Sequence, residues 1–157
     1  PELWQQTWNM PVNLDFSRGP HSFFIATTSN VKGEYLCPDI QWLDKKLTEH
    51  GSKQQAFLFL HINPASTGDH SVKCDEWEKL VSRHSQIRAV FNGHDHMQDT
   101  VLMKGKLPFV FDGHFGGNWG KPYKGFRVVE LWKDHTLASY MMDPNEKINP
   151  AKLYYTQ

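Results

Sequence analysis

A continuous apolar run of strand length, Ala56–Leu60, and a second strand-like stretch, Ile87–Phe91, flank a segment in which Trp77, Leu80, Val81 and His84 recur at i, i+3, i+4 and i+7. A continuous apolar run of this length suits a strand covered on both faces, and the second stretch reads as the next buried strand. The intervening spacing suits an amphipathic helix that turns Glu76, Glu78, Lys79 and Arg83 to solvent. Upstream, Cys37-Pro38-Asp39 supplies helix-start chemistry, Ile40, Leu43 and Leu47 supply one buried stripe, and Gly51 supplies a stop. Helix, strand, helix and strand in that order dictate a layered α/β arrangement.

The flanks read differently. Val12–Thr27 predicts a hairpin around the turn cluster Ser17-Arg18-Gly19-Pro20. After Gly93, strands are expected at Thr100–Met103, Leu107–Phe111, Phe126–Leu131 and Thr136–Met141, in an antiparallel C-terminal third. The fold class is therefore α/β (α+β), with a mixed sheet and antiparallel C-terminal strands. The 157 residues suffice for one core, burying roughly 68–70% of the unfolded surface. Residues 1–142 are assigned to that domain and 143–157 to an irregular tail, which Leu153, Tyr154 and Tyr155 could pin to the body.

Seventeen Lys plus Arg balance seventeen Asp plus Glu, which disfavours general nucleic-acid or membrane-surface binding. No apolar run approaches the ~20 residues that span a bilayer, so no membrane partner is expected. The chain opens without the basic and apolar regions of a targeting peptide, and its compartment is left open. Cys37 and Cys74 are too few for a disulfide framework and lack Cys-x-x-Cys spacing. They are expected to be packed thiols.

The chemistry lies in the histidines. His61 follows the first buried strand directly, and His94 and His96 follow the second across Asn92-Gly93. Ligands gather at the carboxyl ends of strands in α/β sheets, because loops there converge over a rigid platform. If the backbone at Gly93-His94-Asp95-His96 is extended, both imidazoles lie on one side with Cα atoms about 6.6 Å apart. They could then serve two ions held ~3.5–4 Å apart. Asp95 would point the other way and orient the loop or a histidine nitrogen. Asn63 is a candidate phosphate contact or a turn cap. His114 and Trp119 are candidates to face substrate from the loop Gly113–Gly120. His84 belongs to a helix face, His50 to a helix end, His21 and His135 to turns, and His70 to the surface of a polar loop.

The run Phe57-Leu58-Phe59-Leu60-His61-Ile62-Asn63-Pro64, then a helix, then Ile87 to Gly93-His94-Asp95-His96, resembles the C-terminal half of the calcineurin-like metallophosphoesterases. The upstream string His21-Ser22-Phe23-Phe24-Ile25-Ala26, with Gly33-Glu34-Tyr35-Leu36 and Gln41-Trp42-Leu43, is similar to that family's strand, loop and helix. The resemblance runs from about Leu3 to Met142. It implies metal-dependent hydrolysis of a phosphoester substrate, as a phosphodiesterase or phosphatase. Two divalent or trivalent ions drawn from Fe, Mn and Zn would hold and polarise the substrate for hydroxide attack at phosphorus. It also implies ligand roles for His61, His94 and His96, with His94 and His96 on different ions.

The family's Asp-x-His, Gly-Asp and Gly-Asn-His-Asp or Gly-Asn-His-Glu motifs do not precede the matched region. Asp112-Gly113-His114, Gly68-Asp69 and Gly117-Asn118 spell similar strings in the wrong order. The resemblance therefore implies the His-rich half of a two-metal site, inactive alone, whose partner is the missing N-terminal half of the same domain. The alternative is a non-catalytic binding or scaffolding domain with a degenerate site. A structural zinc domain is weaker, since closed sites favour Cys.

Overall fold

A computed structural model of the chain describes residues 2–65, 70–113, 115, 119–120 and 125–142, together with the backbone of 154–156. Strands β1 (Leu14–Arg18) and β2 (His21–Ala26) form the expected hairpin. Helix α2 (Ile40–His50) and strand β3 (Gln55–Leu60) follow, then helix α3 (Trp77–Arg83) and strand β4 (Ile87–Asn92). β5 (Val101–Lys104) and β6 (Leu107–Phe111) form a second hairpin. β7 (Phe126–Leu131), β8 (Leu137–Met142) and β9 (Tyr154–Thr156) are antiparallel. The order in the large sheet is β1-β2-β3-β4-β6-β5, and β2, β3, β4 and β6 run parallel. The expectation of an antiparallel C-terminal third is thus corrected in part, because β6 joins the parallel strands.

The tail supplies β9 on the backbone of β8, where an irregular segment with a possible pin was expected. Helix α1 (Glu2–Trp8) was not anticipated. It buries no residue, so no core-facing stripe marks it in the sequence; Trp4 and Trp8, one turn apart with ring centroids at 6.1 Å, are its internal contact. Among the described residues no helix is long and apolar enough to cross a membrane.

Alternation along the central strands separates two cores. Leu58, Leu60, Val90 and Phe109 face the helices, packing with Leu43 and Leu47 of α2 and Trp77 and Leu80 of α3. Phe57, Ala89 and Val110 face the small sheet and meet Leu137. Fully burying such side chains stabilises the fold by about 1.5–3 kcal/mol each, and coverage from both sides explains the uninterrupted apolar run Ala56–Leu60. Phe59 departs from full burial and is 36% exposed, at the end of β3 nearest the loops.

α2 begins and ends as its sequence dictates. The Asp39 carboxylate accepts the Trp42 N–H at 2.9 Å, and Gly51, at φ 80°, donates its N–H to the carbonyls of Leu47 and Thr48. Asp39→Ala is expected to cost about 1 kcal/mol, read as a lower urea midpoint at unchanged slope.

Cys37 and Cys74 form a disulfide with Cα atoms 5.6 Å apart. The expectation of two packed thiols is corrected: the loop before α2 and the segment before α3 meet across the sheet's end, a proximity between residues 37 apart that local patterning does not reveal.

Candidate metal centre

β3, β4 and β6 run parallel, so their carboxyl ends lie side by side. Lateral bonds fix them there. The Asn92 side-chain amide donates to the Leu60 carbonyl at 2.6 Å, Gly93 N–H to the His61 carbonyl at 3.1 Å, and Asp112 N–H to the Asn92 carbonyl at 3.3 Å. His61, Gly93 to His96 and Asp112 therefore leave the sheet along one rim. A Cβ at Gly93 would sit 3.0 Å from His61 Nδ1, so the absent side chain is the space that the His61 ring occupies.

His61 and His94 have ring centroids 5.2 Å apart. The backbone between His94 and His96 is not extended as anticipated. His94 adopts φ 65°, and Asp95 N–H bonds back to the Gly93 carbonyl at 2.7 Å. A non-glycine residue in this region costs on the order of 1–3 kcal/mol and persists where its surroundings over-determine it, commonly at functional sites. The turn sends the two rings apart: His94 toward His61, and His96 onto Trp119, stacked at 4.0 Å with 14° between the planes. Gly120, at φ 98°, brings its backbone against His96, where a Cβ would clash. Asp95 is buried and accepts from Met97 N–H and the Gln98 amide, so it shapes the loop as expected.

Three residues join the cluster that sequence reasoning did not place there. His70, read as a surface residue, lies 5.7 Å from the His94 ring, and the Tyr35 hydroxyl is 2.5 Å from His94 Nε2. Asp112, set aside as part of a decoy motif, lies close enough for its charge to act on His61 and for His61 and His96 to act on it. Its position was legible in principle, since it directly follows Phe111 just as His61 follows Leu60. Asn63 is buried, and its side-chain oxygen accepts the Ala65 N–H at 2.9 Å; the turn-cap alternative describes that contact. His114 lies outside the described residues.

Burial sets the charges. It pushes the His61 and His94 imidazoles below the usual histidine range; neighbouring imidazoles add to this and Asp112 or Asp95 opposes it. Neutral rings keep a lone pair for a cation. Burial raises the Asp112 carboxyl, against the charges of Arg127, His61 and His96. Arg127 is fixed by bonds from its guanidinium to the Asp99 and Phe111 carbonyls and Ser139 Oγ. A pocket of about 370 Å³ opens beside His61, Asn92, Asp112 and Arg127, floored by Phe59 and Phe91.

Imidazole and carboxylate donors suit borderline and hard divalent metals. Gly93 makes room for one such ring. Yet among the described residues no group of three or more His, Cys, Asp or Glu is disposed to hold one ion. The residues present fit a metal as part of a shell.

A dimetal phosphatase from Danio rerio superposes with TM-score 0.65 at 14% identity, over 91% of this chain and 59% of that one. The fold is that of the calcineurin-like metallophosphoesterases. A predicted phosphoesterase from Streptococcus pneumoniae, 11% identical over 85% of this chain and 95% of its own, aligns at TM-score 0.41, too low to bear on the fold. No protein-family model and no curated protein matches the chain. The chain spans 59% of the length of the zebrafish phosphatase, and the calcineurin-like fold places His61, Gly93 to His96 and Asp112 at the carboxyl ends of its parallel strands.

Proposed function

We propose that this chain supplies the His-rich half of a two-metal phosphoesterase centre, which hydrolyses phosphodiesters or phosphomonoesters when acidic motifs from outside the chain complete it. The observation that carries the reading is the meeting of His61, His94, His96 and Asp112 at the ends of three parallel strands, in the fold shared with the zebrafish dimetal phosphatase. His61 and His94 would hold one ion and His96 the other, drawn from Fe, Mn and Zn. Asp112 stands ready as a carboxylate donor.

When bound, such ions polarise the phosphoryl oxygen and offset its charge. The chain's own contribution is to present the His61 and His94 imidazoles, which burial pushes below the usual histidine range, and to fix them on a sheet edge. Gly93 leaves the space that the His61 ring occupies, and Gly120 packs against the backbone and Cβ of His96. The assignment of the remaining ligands to a second segment is supported by the sheet face beside the rim, where Phe16, Ile25 and Phe59 stay a third to a half exposed. Phe59 and Phe91 stack there at 4.9 Å. A segment packed on this face would reach the histidine rim.

The test is metal analysis together with turnover of an aryl phosphodiester and an aryl phosphomonoester. It is run on this chain and on a longer protein carrying upstream Asp-x-His, Gly-Asp and Gly-Asn-His motifs. The longer protein is expected to hold two transition-metal ions and hydrolyse at least one ester, with little turnover from the chain alone. A longer protein that takes up no transition metal overturns the proposal and favours the scaffolding alternative.

A further inference from the structure

We propose that Tyr35 is a positioning residue for His94: its hydroxyl accepts the Nε2 proton and so leaves Nδ1 as the nitrogen that meets a cation. This inference rests on the reading of His94 as a metal ligand. The Tyr35 hydroxyl lies 2.5 Å from His94 Nε2, with the two rings edge-on at 4.7 Å and 86°. Neutral imidazole carries one donor and one acceptor nitrogen, so a partner at one decides what the other can do. Metal-ligating histidines characteristically donate their second ring N–H to a fixed acceptor, which sets tautomer and ring orientation. At His94 the group at that nitrogen is a phenol, and its own proton has solvent to go to, since Tyr35 is 41% exposed.

The phenol is held in place from several directions. Tyr35 bridges the backbone of Ser29, and Leu36 N–H donates to the Thr28 carbonyl at 2.8 Å. Thr28 is buried, and its hydroxyl accepts the N–H of Ile62, the residue after His61, at 2.8 Å. The Tyr35 loop is thus tied directly to the end of β3. Between these points the Asn30 side chain accepts from the backbone N–H groups of Lys32 and Glu34, closing the turn. Two residues beyond Tyr35, Cys37 is cross-linked to Cys74, four residues beyond His70, whose ring lies 5.7 Å from that of His94. One disulfide therefore joins the two segments whose rings meet His94. Such anchoring suits a residue that orients a neighbour.

The experiment is long-range proton–nitrogen NMR on metal-free protein labelled in its histidines, above the ordinary imidazole titration range, compared with Tyr35→Phe. In the parent protein His94 is expected as the Nε2-protonated tautomer with an unprotonated Nδ1. In Tyr35→Phe it is expected to become a mixture. Calorimetric titration with Zn2+ should show the variant binding about 10–100-fold more weakly, the range for loss of an outer-shell partner. A parent His94 protonated at Nδ1, or a variant spectrum identical to the parent's, overturns the proposal. His94→Ala separates the two levels: if it binds Zn2+ as tightly as the parent, the ligand reading of His94 fails, whatever tautomer Tyr35 imposes.

Discussion

Replacing His61 or His94 by alanine is expected to lower the protein's affinity for Zn2+ or Mn2+ by more than the ~10–100-fold that loss of an outer-shell partner costs. The two rings lie 5.2 Å apart, and each leaves the end of a neighbouring parallel strand, so neither has a mobile substitute at its position. Burial lowers both imidazoles, so they compete weakly for protons and stay available to a cation near neutral pH. His135→Ala is the control. That residue sits on an exposed turn between β7 and β8 and should leave affinity unchanged. Gly93→Ala should weaken binding through the same ring, because the added methyl meets His61 Nδ1 at 3.0 Å. Calorimetric titration distinguishes these cases. Equal affinities for the parent and both alanine variants would exclude His61 and His94 as ligands.

Removing the Cys37–Cys74 disulfide, by reduction or by Cys37→Ser with Cys74→Ser, is expected to have the largest effect on stability. The cross-link closes a loop of 37 residues. On the chain-entropy account it removes roughly 4 kcal/mol of freedom from the unfolded ensemble. For a chain of this size that corresponds to a fall of about 10 °C in melting temperature. The enclosed segment holds α2, β3, His61 and His70, and Tyr35 lies two residues outside it, so loss of the link also loosens the two segments whose rings meet His94. Denaturant melts with and without reductant measure the effect. Coincident transitions would show that the bond contributes nothing to the folded protein.

The elements that could be read from residues alone are those whose signals are local and redundant. α2 has a capping aspartate, a three-residue apolar stripe and a terminal glycine, and it forms where those signals place it. Ala56–Leu60 of β3 is a continuous apolar run, and β4 is apolar but for Arg88 and Asn92, because helices cover one face and β8 the other. α1 buries nothing, so no periodic signal could mark it. The rim position of His61 and His94 was legible for a similar reason: a polar residue directly after a buried strand, or one glycine beyond it, has nowhere to go but the sheet's end.

Tertiary structure decided what depends on which strands become neighbours. β6 runs parallel to β4 although the chain reaches it through a hairpin partner, and only that arrangement carries Asp112 to the histidines. His70, Tyr35 and the disulfide belong to loops distant in sequence, brought together over the same edge. The amino-acid sequence by itself determined the elements and the histidines that end them, because side-chain periodicity and capping act over a few residues. The pairing of strands and the company kept by each histidine were decided by long-range packing, whose energy depends on surfaces that do not exist until the sheet has assembled.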